Sequence, residues 1–284
     1  MTDTNVELTT LYWTTCGVNP GDGEISRFDF EDRVAAAARA GFRGIGIWHT
    51  DLEHILTRWS LKEMKRILDD NGVYIGELEF LTHWFVDGPR RVESDRRRKL
   101  LLEASQALDA KHVKIGDFEN TPCAMPRLAE SFAALCREAR AFDATIGFEL
   151  MRSARLDSLA EALTLVETAA ETNGGLVIDM AHVADLGITL EEIRHVPLRY
   201  IVSVELNDGA PRGSPRYDPS GGRKYCGEGE LDIRGFIRCL REMGYDGLWT
   251  VEVFSREQAA RSLEELNERA YRSTAAQLLT RSPG

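Results

Sequence analysis

Residues 200–209 read YIVSVELNDG, with Val202, Val204 and Leu206 alternating with Ser203, Glu205 and Asn207. A period of two marks a β-strand whose apolar face packs on something. The opposite face carries a carboxylate and an amide, and Asp208 follows at once. An edge strand with a solvated polar face would explain the pattern, and so would a strand whose polar face points into a chemical site.

The surrounding chain decides between them. Short apolar stretches recur at about 6–13, 44–48, 73–80, 112–116, 145–150, 175–179, 199–206 and 247–254. Segments with helical spacing lie between them at 28–40, 60–71, 93–109, 124–142, 157–172, 182–195, 232–243 and 256–279. Ser60, Asp157 and Asp232 stand where N-caps belong. Strand and helix in strict alternation predict an α/β fold with a parallel sheet, and eight such units in 284 residues predict one (β/α)8 TIM barrel spanning 1–284. Only residues 280–284 read as a loose tail. A doubly wound open sheet shares the alternation, but its strands are covered on both faces and read as continuous apolar runs. Here the pairs Thr145/Gly147, Ser203/Glu205 and Thr250/Glu252 put small or polar groups on one alternate face, which suits a narrow lumen.

Composition excludes several function classes. Lys+Arg of 35 against Asp+Glu of 46 gives a net charge of -11, which repels a phosphate backbone, so nucleic acid is not an expected partner. No apolar run reaches the ~20 residues of a membrane span, and the N-terminus lacks a basic region followed by an apolar core. A cytoplasmic protein without a membrane partner is expected. The five cysteines, scattered and without a CxxC pair, read as reduced structural thiols.

In a barrel the C-terminal strand ends meet at one face, where barrel enzymes build their sites. Reading the last four strands at that end gives Glu149 in IGFEL, Asp179 in LVIDMAH, Glu205 in VSVELND and Glu252 in WTVEVF. One such Glu is ordinarily a solvated rim residue or an ion-pair partner. Four aimed into one lumen would repel each other in a low dielectric, and a divalent cation resolves the conflict. His182, three residues beyond Asp179, can lean over the same mouth, although a His there also commonly starts a helix. Glu79, beside Glu77 in GELEF, and His83 are candidates for contacting substrate hydroxyls, with a rim salt bridge as the plainer alternative. Lys114 in HVKIG faces inward and can hold an anion or offset the carboxylates. Trp13, Trp48 and Trp84 close the first three strands, where their rings can stack on a sugar or simply pack the core.

Taken together, GFEL, DMAH, ELNDG, GEGELD and GYDGLWTVEV resemble the xylose-isomerase-like barrels of the sugar phosphate isomerase/epimerase superfamily. That superfamily includes ketose 3-epimerases, inosose dehydratases and isomerases, hydroxypyruvate isomerases and endonuclease IV. The resemblance runs from AAAARAGFRGIGIW to MGYDGLWTVEVF and implies that Glu149, Asp179 and Glu252 bind metal, with Glu149 and Glu252 as the acid/base pair. It also implies that His182 and Arg223 contact substrate and that homo-oligomers form. In most relatives a His occupies the place of Glu205, within a segment resembling VHLKDG. An all-carboxylate set with Glu205 as substituted ligand favours Mn2+ or Mg2+.

The expected activity is that of a metal-dependent isomerase or epimerase acting on a ketose or keto-cyclitol through an enediolate. A small-molecule carbohydrate is the expected partner. A lyase on the same scaffold is the alternative, either a dehydratase of the inosose or dehydroshikimate type or a 3-keto-C-glycoside deglycosidase, with loop 81–92 to receive a bulky aglycone. A further alternative is a metal-free barrel subunit. Endonuclease IV is disfavoured, because YDPSGGRKYCGEG lacks the histidines of its three-metal site.

Overall fold

A computed structural model describes residues 7–152, 154–218 and 222–279. The expected tail at 280–284 lies outside them. Eight parallel strands close in sequence order into a barrel: β1 Thr9–Thr10, β2 Gly44–Trp48, β3 Tyr74–Leu81, β4 His112–Ile115, β5 Ile146–Glu149, β6 Gly174–Asp179, β7 Ile201–Leu206 and β8 Leu248–Val251. Closure runs through Thr9 beside Thr250 and Thr10 beside Val251. YIVSVELNDG therefore contains an interior strand, β7, paired on both sides, and the edge-strand reading falls.

The apolar phase of β2 to β8 packs outward. Ile47, Leu78, Val113, Phe148, Ile178, Val204, Leu206 and Val251 all belong to the core between strands and helices. Those helices include Phe30–Ala40, Leu61–Asn71, Pro89–Leu108, Met125–Arg140, Leu159–Ala169, Ile233–Met243 and Leu263–Leu279. Ser60 starts its helix with a full capping box, and Asp232 caps its own by accepting from the Gly235 N–H. Asp157 does not cap. Ser158 does, accepting from the Glu161 N–H.

Three elements depart from the expected spans. β1 holds two residues instead of eight, because the chain turns into the short helix Tyr12–Thr15. The Thr14 hydroxyl donates to the Val251 carbonyl at 2.8 Å and accepts from the Val253 N–H, tying the seam across β8. The segment 182–195 divides into helices Met180–Leu186 and Leu190–Arg194, since Gly187 ends the first in the left-handed region at φ 69°. Likewise 256–279 divides into Arg256–Ala259 and Leu263–Leu279. Among the described residues no helix is long and apolar enough to cross a membrane.

Candidate active site

The polar phase of β5–β8 converges at the C-terminal mouth. β6 and β7 pair with Asp179 beside Glu205, and β7 and β8 with Glu205 beside Thr250, which brings three strand ends into line. Carboxylate oxygens of Glu149, Asp179, Glu205 and Glu252 all lie within 4.8 Å of one another, every one of these residues buried. Opposite oxygens around a hard divalent cation stand about 4 Å apart, so this cluster has the span of a coordination shell. Glu205 Oε2 is buried without a hydrogen-bond partner. An orphaned buried oxygen in a set of hard donors fits a divalent cation.

Two cations share this space with the acids. Arg223 lies 5% exposed, its guanidinium in contact with Glu252 and 3.2 Å from Asp179. It stacks over the Phe254 ring and donates to His182 Nε2 at 3.1 Å. Lys114, 1% exposed, reaches Glu77 and Glu205 at 3.0 Å and Glu79 at 3.2 Å, with Glu149 and Glu252 at 3.6 and 3.7 Å. Six buried carboxylates thus face two buried cations.

That imbalance governs the titrations. Burial, reinforced by the charges of Glu77 and Glu149 and opposed by Lys114, pushes Glu79 up to about 8. Glu205 is raised well above the usual carboxylate range, first by burial and then, against Lys114, by Glu149, Glu77 and Asp179. Burial acts in the same direction on Asp179 and Glu77, but nearby positive charge prevails. Arg223 and His182 hold Asp179 well below its ordinary value, while Lys114 and His112 bring Glu77 down to about 2. His182 is lowered by burial and by Arg223, against the pull of Asp179. Its Nε2 accepts the Arg223 N–H.

Above the acids opens a pocket of about 480 Å3. Glu79, Lys114, Glu149, His182, Arg223 and Glu252 reach it from the floor, and Trp13 and Trp48 line one wall as anticipated. Trp84 does not reach it. Its ring is 1% exposed in the core, with Nε1 donating to the Gly116 carbonyl at 3.2 Å. Phe85, 3% exposed, is equally withdrawn, and a helix starts at Pro89, so stretch 81–92 offers the pocket no aromatic surface. His83 is turned toward Glu119 at 3.6 Å and is absent from the lining.

The aromatic lip comes from elsewhere. Trp13 packs on Trp48 at 5.0 Å, Trp48 stacks on Phe80 at 6.0 Å, and Phe80 stacks on Phe118 at 4.8 Å, where Phe118 is 55% exposed. Arg152, Asp185 and Tyr217 supply the polar side of the rim. Phe118, Arg152 and Tyr217 had no sequence signal, since they lie in loops without periodicity, and Asp185 sits on the short helix Met180–Leu186.

Asp208, set aside in the opening motif, organises the loop that carries Arg223. It is 2% exposed, and Oδ1 accepts from the Gly209 and Leu231 N–H groups at 2.8 and 3.1 Å. Oδ2 accepts from Gly227 and Gly229 at 2.9 and 2.8 Å. A Cβ on Gly229 would sit 2.1 Å from Asp208 Oδ1, so this close approach requires glycine. ELNDG and GEGELD are two halves of one device. Asn207 completes it by donating to Asp179 Oδ2 at 3.1 Å.

Residues 34–275 match the model of the xylose isomerase-like TIM barrel family. The chain is 27% identical over 234 residues to a 3-dehydroshikimate dehydratase of Pseudomonas aeruginosa, covering 79% of this chain and 36% of that protein. It is 26% identical over 121 residues to an inosose isomerase of Bacillus licheniformis, covering 42% of each. The chain thus spans less than half the length of these curated relatives. Among solved structures it superposes on the IolI protein, which carries a bound zinc atom, with a TM-score of 0.84 at 19% identity, covering 96% of this chain and 98% of that one.

Proposed function

Because the chain belongs to the xylose isomerase-like TIM barrel family, we propose that it is a divalent-metal-dependent sugar isomerase or epimerase acting on a ketose or keto-cyclitol. The observation that carries this reading is the quartet Glu149, Asp179, Glu205 and Glu252 beneath a pocket walled by tryptophan. These four carboxylates would hold the cation, which when bound would supply Lewis acidity at a substrate carbonyl and so ease loss of the neighbouring C–H proton. Glu149 and Glu252 approach from β5 and β8, with β6 and β7 between them, and serve as the groups that remove and return that proton. His182 and Arg223, linked at 3.1 Å, hold substrate oxygens beside them. Trp13 and Trp48 give the sugar an apolar face to lie on and exclude water from the proton path. Hard oxygen donors favour Mn2+ or Mg2+.

Return of the proton to the opposite face is epimerisation, and its delivery to the adjacent carbon is isomerisation. Loss of a β-substituent instead is a lyase reaction. The dehydratase relatives and the exposed Phe118 lip favour that as the second reading. The acidic net charge and unpaired cysteines accord with a small carbohydrate partner and a cytoplasmic setting.

Metal analysis of purified protein should find about one divalent ion per chain, lost in Glu149→Ala and Asp179→Ala. Ketoses, inososes and 3-keto-glycosides are then incubated with Mn2+ in D2O. Deuterium entering substrate without product loss supports the epimerase or isomerase. An unsaturated product or a released aglycone transfers the assignment to the lyase. Protein that binds no ion, and whose melting midpoint ignores manganese, refutes the proposal.

A further inference from the structure

Lys114 is buried in the barrel floor, yet nothing in proton transfer at Glu149 and Glu252 calls for a lysine there. Its Nζ has three N–H groups, and three carboxylates stand within 3.2 Å of it: Glu77 on one side, Glu79 on another and Glu205 on a third. The contact with Glu205 is a hydrogen bond of 3.0 Å to Oε1, whereas Oε2 of the same carboxylate has no donor. The other end of the lysine's environment is equally fixed. Glu77 is 0% exposed and is held from its far side by His112 Nε2 at 2.8 Å, so the ammonium cannot follow Glu205 if that side chain turns.

We propose that Lys114 is the positioning residue that makes Glu205 a metal ligand, pinning Oε1 to the barrel floor so that Oε2 is presented to the cation. The inference rests on the reading that the quartet holds a divalent ion, and adds how a fourth carboxylate is tolerated there. Four acids within 4.8 Å of one another carry more negative charge than one divalent ion cancels. Lys114 neutralises Glu205 from below, so the ion meets a donor whose charge is already balanced. Orientation matters as much as charge, since a ligating carboxylate is held in place by hydrogen bonds to its other oxygen. A competing effect runs the other way: an ammonium beneath a cation repels it. Five carboxylates within 3.7 Å of the lysine decide the balance in favour of attraction.

Isothermal titration with Mn2+ alone, together with the Mn2+ paramagnetic resonance spectrum, separates these effects. Lys114→Gln should weaken Mn2+ binding by at least about tenfold. Since that variant leaves three buried acids without their cation and can fail to fold, the deciding variant is Glu77→Gln/Lys114→Gln. It removes one acid with the lysine and keeps the net charge of the buried cluster. Glu77→Gln alone should bind Mn2+ within about twofold of the parent, because Glu77 is not one of the four ligands. The double variant should bind at least about tenfold more weakly and show an altered resonance envelope at an unchanged melting midpoint. In a Glu205→Gln background, adding Glu77→Gln/Lys114→Gln should cost little more, as the lysine acts through Glu205.

Parent-like or tighter affinity in the double variant overturns the proposal, and so does a full additional loss in the Glu205→Gln background. Failure of the parent protein itself to bind Mn2+ refutes the underlying metal reading instead, so the two outcomes are distinct.

Discussion

Asp208→Asn tests whether one buried carboxylate organises the Arg223 loop. The aspartate accepts four backbone N–H groups, two on each oxygen, between 2.8 and 3.1 Å. Asparagine keeps one accepting oxygen and replaces the other with an NH2 donor. Two hydrogen bonds vanish, and their N–H groups confront another donor in a site that is 2% exposed. Hydrogen bonds to a charged group contribute roughly 1.5–3 kcal/mol each, and partial relaxation of the loop brings the net loss to about 3–5 kcal/mol. In a chain of this length that lowers the melting midpoint by roughly 6–15 °C. The pair of backbone bonds joining Asp208 and Lys224, at 2.9 and 2.8 Å, is untouched, so the root of the loop should hold while its outer half loosens. Circular dichroism melts read the first effect, and proteolytic nicking within 222–231 reads the second. Gly229→Ala should reproduce both, as its Cβ would meet the same oxygen. A variant that melts within a degree of the parent and resists nicking would refute the assignment.

Other perturbations probe the chemistry and the scaffold separately. Glu149→Gln should cut turnover by roughly 10²–10⁴-fold while the circular dichroism spectrum stays unchanged, measured by solvent deuterium exchange once a substrate is found. Phe118→Ala should raise KM for a substrate bearing a flat apolar substituent, and leave KM for a bare ketose within about twofold, because it removes about 1 kcal/mol of stacking at the lip alone. His49 is 4% exposed and accepts the Phe80 N–H on Nδ1 at 3.1 Å. Burial, with Arg97 adding to it, takes its pKa down to about 3. The unfolded chain therefore binds a proton that the folded chain refuses between about pH 6.5 and 3, and stability falls as pH drops through that window by about 1.4 kcal/mol per unit. His49→Phe should flatten that part of the profile in urea melts, whereas an unchanged slope would remove His49 as its source.

The barrel was readable because its strands obey a period of two and its helices a longer one, and both survive burial. The same alternation located Glu149, Asp179, Glu205 and Glu252, since a lumen-facing phase at a strand end leaves few other places for a carboxylate. It also turned Lys114 inward, without revealing that its charge would be shared among so many acids. Where local chemistry competed, the pattern misled. Thr9 and Thr10 alone form β1, because Thr14 does better by bonding β8 across the seam than by continuing a strand. Trp84 could by its position either stack on a ligand or pack the core, and its N–H finds the Gly116 carbonyl, which draws the ring into the core. Asp208 was invisible as a hub because three of its four partners are backbone N–H groups about twenty residues away, to which side-chain identity gives no clue. Phe118 lies in a loop with no period at all.

The aromatic row from Trp13 to Phe118 also gives the protein a built-in optical reporter. Of the five indoles in the chain, Trp84 and Trp249 are packed in the core and Trp59 is excluded from the pocket lining, so those three emit from surroundings that a ligand does not alter. Of the five indoles Trp13 and Trp48 border the cavity, in contact with each other and sharing its lining with the Lys114 ammonium, a group able to quench indole emission. A molecule settling on them displaces water and changes that quenching. The emission maximum should therefore move to shorter wavelength in proportion to occupancy, which lets a library of unlabelled sugars be ranked by light before any reaction is known.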